Sequence, residues 1–251
     1  MSNKKILFVV AHPDDESLWI GGTLNFLSQL EGVDVSVLCM TGGLDPARSS
    51  SFREVMRKLN IQSWHHFKND LVRVGGVLIS SPEKIIKEGL ENLGSIGYDL
   101  IITHSFYGDE HLHIQHKQLY NVVREYCSKE SVPFSYFSFM TIPYFAMIPC
   151  QRAARRFDKT HLVNDVFCQQ LSGIEYNNLT IPHKYYQYKV DSELKDSLLQ
   201  CYTSIDLEEH QRGYYAWDSC IEGFYTESSV ASEIFDEINN KFGIPAEANC
   251  F

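Results

Sequence analysis

The sequence predicts an α/β protein: a Rossmann-like, mainly parallel sheet with helices on both faces. Two observations predict it. Short apolar runs, led by Ile6 to Val10, read as strands covered on both sides, because a half-exposed strand would alternate apolar with polar residues. Helical patterns lie between those runs, so strand and helix alternate as they do in βαβ units.

In chain order, the strands are expected at Lys5 to Val10, Val33 to Met40, Ser63 to Phe67, Tyr98 to Thr103 and Phe134 to Phe139. The intervening helices are expected at Ser17 to Leu30, Ser49 to Leu59, Ser81 to Leu93 and Ile114 to Cys127. The third helix carries the clearest punctuation. Ser81 stands at the cap and Pro82 at the first helical position; Ile85, Ile86, Leu90 and Leu93 share a face, and Gly94 follows the end. Beyond Phe139 the pattern loosens into Ile142 to Pro149, an apolar, aromatic segment broken by prolines, which suits core packing or a wall near a site.

The 251 residues, 44% of them hydrophobic, suffice for one large α/β core, and the expected organisation is a single unit. Within it, residues 1–140 would form the site-bearing core and residues 141–251 a variable, substrate-shaping part. No apolar run approaches the ~20 residues of a membrane span. Met1 to Lys5 leads straight into a strand, so a cytoplasmic protein is expected. A net charge of −10 argues against nucleic acid as a partner, because phosphate backbones are bound through excess Lys and Arg. One basic cluster, Arg152, Arg155 and Arg156, would share a helical face suited to a phosphate group, although such clusters are more often solvated. Seven cysteines without a C-x-x-C pair read as free thiols. Neither G-x-G-x-x-G after the first strand nor G-x-x-x-x-G-K-[ST] is present, so the layout does not require a nucleotide cofactor.

Chemistry is expected at two strand ends. Ala11-His12-Pro13-Asp14-Asp15-Glu16 follows the first strand directly, and Tyr107 to His116 follows the run Leu100-Ile101-Ile102. Charged groups cannot continue a strand buried on both faces, so these residues are delivered to the carboxyl edge of the sheet, where ligands sit in open α/β folds. His12, Asp15 and one downstream histidine would make a two-imidazole, one-carboxylate set suited to zinc with an open position. Fe²⁺ suits the same donors. Adjacent Asp14 and Asp15 point apart in a tight turn and can divide metal binding from proton transfer. His113 and His116, three apart, face one side of a helix beginning near Ile114. His111 competes with them, since His111 and His113 would share a face in an extended segment. His104, ending its strand, is a candidate for a supporting place. The competing structural reading is a capped turn, with Asp14 or Asp15 satisfying the amides of the following helix.

These elements resemble the PIG-L/LmbE-like zinc N-deacetylases, which hydrolyse acetamides on amino sugars and related compounds. The resemblance rests on A-H-P-D-D-E, intact at positions 11 to 16, and on H-x-x-H at His113-Ile114-Gln115-His116. Weaker matches are Thr41-Gly42-Gly43 to a T-x-G turn, Arg53-Glu54 to an R-x-x-E helix, and faint ones at Tyr202-Thr203-Ser204 and Glu222-Gly223-Phe224. The resemblance implies an LmbE-like fold and zinc ligands His12, Asp15 and His116. It further implies Asp14 as general base and His113 beside the oxyanion. The substrate would be an N-acetylglucosamine-type conjugate, released as acetate and free amine; a homo-oligomer is compatible with it. Two departures stand out. Ser51 replaces the usual helix arginine, leaving Arg48 or Arg53 to serve the substrate, and Ile114-Gln115 replaces Pro-Asp, removing an acidic neighbour that could support a ligand. The alternatives are a metallohydrolase of another amide or ester, or a non-catalytic metal-binding module. The aglycone, the native metal and the oligomeric state are not encoded in recognisable form.

Overall fold

The computed structural model describes residues 3–68, 82–93, 97–106, 114–138, 184–202 and 221–242. Five strands lie parallel: β1 (Lys4–Val10), β2 (Val33–Cys39), β3 (Ser63–His66), β4 (Leu100–His104) and β5 (Phe134–Ser138). Two more, β6 (Lys184–Lys189) and β7 (Ile221–Thr226), extend the same sheet in the order β3-β2-β1-β4-β5-β7-β6, with β7 antiparallel to both its neighbours. The predicted mainly parallel α/β sheet is what forms. The antiparallel edge was not foreseen, because its strands fall where the sequence pattern loosens.

β1 shows why the sheet is two-sided. Ile6, Phe8 and Val10 join one buried cluster while Leu7, Val9 and Ala11 join the other, so every residue from Ile6 to Ala11 is buried. The first cluster is closed by α2 (Gly21–Ser28), α3 (Pro46–Lys58), α6 (Ser192–Leu199) and α7 (Ser229–Phe242), which contribute Leu24, Phe52, Leu198 and Phe235. The second is closed by α4 (Pro82–Asn92) and α5 (Ile114–Glu130) through Ile86, Leu90, Leu119 and Val123. Helices therefore cover both faces.

Local chemistry moved several boundaries. The helix expected from Ser17 to Leu30 is two helices, α1 (Asp15–Trp19) and α2, broken at Ile20, whose φ of −140° and ψ of 9° are not helical. The pair Gly21-Gly22 marks that break. α3 starts three residues before Ser49, because the Asp45 carboxylate accepts from the amides of Ala47 (2.9 Å) and Arg48 (3.2 Å) and Pro46 takes the first position. α4 begins at Pro82 as expected, and α5 runs on to Glu130. Cys39, Cys127 and Cys201 are free thiols. The Arg152 cluster and the Ile142 to Pro149 segment lie outside the described residues.

The start of α2 is held from the far end of the chain. Glu222 of β7 accepts from the amides of Gly22 (3.0 Å) and Thr23 (2.7 Å), and Lys195 of α6 lies 3.1 Å from the same carboxylate. Glu222 and Lys195 are both buried. A negative charge at a helix N-terminus is favourable; an uncompensated buried one is not. Lys195→Met should therefore lower unfolding free energy by about 3 kcal/mol, read as a reduced urea midpoint at unchanged slope; a loss below about 1 kcal/mol would show that the pair is dispensable.

Candidate metal centre

The site forms where the strand order reverses. β1 pairs with β2 on one side and β4 on the other, which opens a crevice at their carboxyl ends. His12 and Asp15 follow β1, His104 ends β4, and His116 lies in the first turn of α5.

The turn after β1 is closed by its own side chain. Asp15 Oδ2 accepts from the His12 amide at 2.7 Å, and the Asp15 amide reaches the His12 carbonyl at 3.3 Å. Asp14 adopts φ 124° and ψ −31°, a conformation that costs a non-glycine residue about 1–3 kcal/mol. Its carbonyl accepts from the amides of Ser17 and Leu18, both at 2.9 Å, and its own amide donates to Glu16 Oε2 at 3.1 Å. The Asp14 side chain makes no cap bond to α1, and the Asp15 carboxylate turns back toward His12. This is not the capped turn of the competing reading.

Glu16 anchors that turn. It is fully buried and accepts from the Asp14 amide, from Ser17 Oγ at 2.9 Å and from the Tyr202 hydroxyl. Burial pushes its carboxyl up to about 7, although the three hydrogen bonds favour the charged form. Behind the turn, Thr41 Oγ1 donates to the Ala11 carbonyl at 2.7 Å and His66 Nε2 donates to the Thr41 carbonyl at 2.6 Å. Gly42 has φ +79°, and a β-carbon there would stand 2.9 Å from the Pro13 ring. The Thr41-Gly42-Gly43 turn thus packs directly against the His12 turn.

Three donor groups converge. His12 Nδ1 is 3.1 Å from His116 Nε2 and 3.4 Å from Asp15 Oδ2, and His116 Nε2 is 3.3 Å from Asp15 Oδ1. Ligands bound about 2.0–2.2 Å from a tetrahedral zinc stand about 3.3–3.5 Å from one another. The two Asp15 distances end on its two oxygens; with one ligand atom from each residue, the three atoms lie within 4.8 Å of one another, so His12, Asp15 and His116 are of a type and closeness that could hold a divalent cation.

The electrostatics follow from burial and the carboxylate. Burial works to raise the Asp15 pKa, but the imidazoles of His116 and His104 outweigh it and hold the carboxyl well below the usual range. Burial also works against a proton on His12, yet Asp15 beside it raises that imidazole above its ordinary 6.5. His104 behaves differently: burial brings it down to about 4. Its Nε2 accepts from the Ala11 amide at 3.1 Å, and its ring stacks on His116 with centroids 3.9 Å apart. A neutral His104 thus orients His116 by packing.

Of the other expected site residues, His113 lies outside the described residues, as do Tyr107 to Leu112. Arg53 is exposed on α3 and Arg48 half-buried in its first turn; among the described residues neither side chain bonds to the donor group. Glu54 pairs with Arg57 at 2.6 Å on the exposed face of α3, so the Arg53-Glu54 match does not carry a site contact. Sequence reasoning missed Gln115, whose Oε1 accepts from His12 Nε2, and Glu16 as the anchor of the turn.

The mainly parallel α/β sheet is that of LmbE-like folds, and it carries a His–Asp–His group at its switch point. Residues 7–127 match the family model described as "PIG-L: GlcNAc-PI de-N-acetylase". The chain is 48% identical over 40 residues, 16% of either chain, to a probable N-acetylglucosaminyl-phosphatidylinositol de-N-acetylase of Schizosaccharomyces pombe. Among solved structures, a deacetylase of the teicoplanin biosynthesis pathway is similar at 12% identity and TM-score 0.50, over 89% of this chain and 97% of that one. GalB, the 4-carboxy-2-hydroxymuconate hydratase of Pseudomonas putida KT2440, is similar at 13% identity and TM-score 0.51, over 98% and 92%. A deacetylase and a hydratase share the fold, so the fold alone does not select the reaction.

A cation held by His12 would compete with a proton for its Nδ1. Because Asp15 raises the His12 pKa above 6.5, that competition begins at higher pH than at an ordinary imidazole. Affinity for Zn²⁺, measured by chelator competition from pH 8 to 5.5, should fall about tenfold per pH unit below the His12 pKa. A flat profile across that range would remove His12 from the site.

Proposed function

We propose that this chain is a divalent-metal-dependent N-deacetylase that removes the acetyl group from an N-acetylglucosamine-type amino-sugar conjugate. The observation that carries the reading is the convergence of His12, Asp15 and His116, each offering a ligand atom within 4.8 Å of the others, on an intact H-P-D-D-E turn beside a second carboxylate. The family and the S. pombe relative support the amino-sugar substrate.

In this reading His12, Asp15 and His116 hold the cation, with zinc favoured by the donor set and Fe²⁺ a rival. The bound cation supplies Lewis acidity toward water and toward the amide carbonyl. Asp14, buried and fixed by its strained backbone, takes the proton from the attacking water. His113, three residues before His116, donates to the oxygen that gains charge. Asp14 then returns the proton to the nitrogen as the C–N bond breaks, giving acetate and a free amine. Arg48, on the sheet's carboxyl edge, is the better placed of the two arginines to meet a substrate anion; Arg53 faces solvent. A soluble small-molecule enzyme is the form proposed; among the described residues no helix is long and apolar enough to cross a membrane.

Metal content and acetate release, measured together on a panel of N-acetylglucosamine conjugates and simple amides, test the proposal. Asp14→Asn should keep the cation and lose about 10²–10⁴-fold in turnover, whereas His12→Ala should lose the cation itself. Near-normal turnover in Asp14→Asn would overturn the base assignment. Bound metal with release only from simple amides or esters would overturn the sugar assignment and leave the metallohydrolase.

A further inference from the structure

Gln115 stands in the first turn of α5, one residue before His116, where the family pattern carries an acidic residue. A carboxamide oxygen can only accept, so the His12 Nε2 it meets must carry the proton. A neutral imidazole has a single N–H, and a proton on Nε2 leaves the lone pair on Nδ1. Nδ1 is the nitrogen turned toward the other donors, 3.1 Å from His116 Nε2 and 3.4 Å from Asp15 Oδ2. The outward hydrogen bond therefore sets both the ring orientation and the tautomer of His12. A carboxylate at the same place would do this with a full charge, and would strengthen His12 as a donor.

We infer that Gln115 is a positioning residue that offers His12 Nδ1 to a divalent cation and, being neutral, makes that cation easier to remove than an acidic residue would. The inference rests on reading His12, Asp15 and His116 as a cation site. It turns a departure from the family pattern into a property of this chain: a retained tautomer lock with a weaker grip.

Zinc is the probe, on the full chain. Wild type, Gln115→Leu and Gln115→Glu are titrated with Zn²⁺ against a chelator, the nitrogen-15 shifts of the His12 ring are read in the loaded protein, and circular dichroism of the metal-free forms checks folding. The expected result is a proton on His12 Nε2 in loaded wild type, zinc binding weakened about 10–100-fold in Gln115→Leu, and tightened in Gln115→Glu. Undiminished binding by a folded Gln115→Leu, or a proton on Nδ1 in loaded wild type, overturns this inference alone. If the leucine variant does not fold, unchanged affinity in Gln115→Glu overturns it. Wild type that binds no zinc overturns the cation-site reading as well, so the two failures are distinguishable.

Discussion

The Asp15 carboxylate is the group around which the rest of this structure is arranged, because a buried negative charge is expensive unless every side of it is answered. One oxygen accepts the His12 amide and lies near the rings of His12 and His104, while the other faces His116. These partners come from three places in the chain: the turn after β1, the end of β4 and the first turn of α5. Stabilising one carboxylate thus brings together the carboxyl ends of the two central strands.

The strained turn needs a second support, and it comes from beyond residue 140. Tyr202 donates to Glu16, whose other oxygen holds the Asp14 amide, while Glu222 and Lys195 fix the start of α2 two turns further on. The faint family matches at Tyr202 and Glu222 acquire a physical meaning here. Each reaches back about two hundred residues to brace the helices that carry or follow the H-P-D-D-E turn. The part of the chain beyond residue 140 thus supplies two side chains on which the turn and the helix after it rest.

Much of this was legible in the sequence. Continuous apolar runs ending in charge located the strands and their carboxyl edge; spacing pointed to His12, Asp15 and a downstream histidine, and the family resemblance singled out His116. What escaped was everything set by contact. The break at Ile20 is followed by Gly21 and Gly22, which leave room for the side chains of Leu198 and Val190, and the antiparallel β7 and β6 are added through pairing of β7 with β5, for which local pattern has no signal. Gln115 was read as a lost support because charge was the only property considered; its acceptor oxygen, which does the supporting, shows only when His12 is seen beside it. Arg53, which matched a motif by spacing, is exposed on α3.

Charge balance ties these observations together. Asp15 holds its negative charge strongly, His104 is kept neutral by burial and by the Ala11 amide, and the raised His12 is the imidazole most ready to take a proton. The carboxylate beside it favours a proton on His12. In the proposed reading, a cation at the same donors would compete with that proton, so its binding would be coupled to deprotonation of His12. The same pairing leaves Asp14, whose carbonyl and amide are already committed to the turn, with its carboxyl group as the second acid of the motif, separate from the group that balances the site.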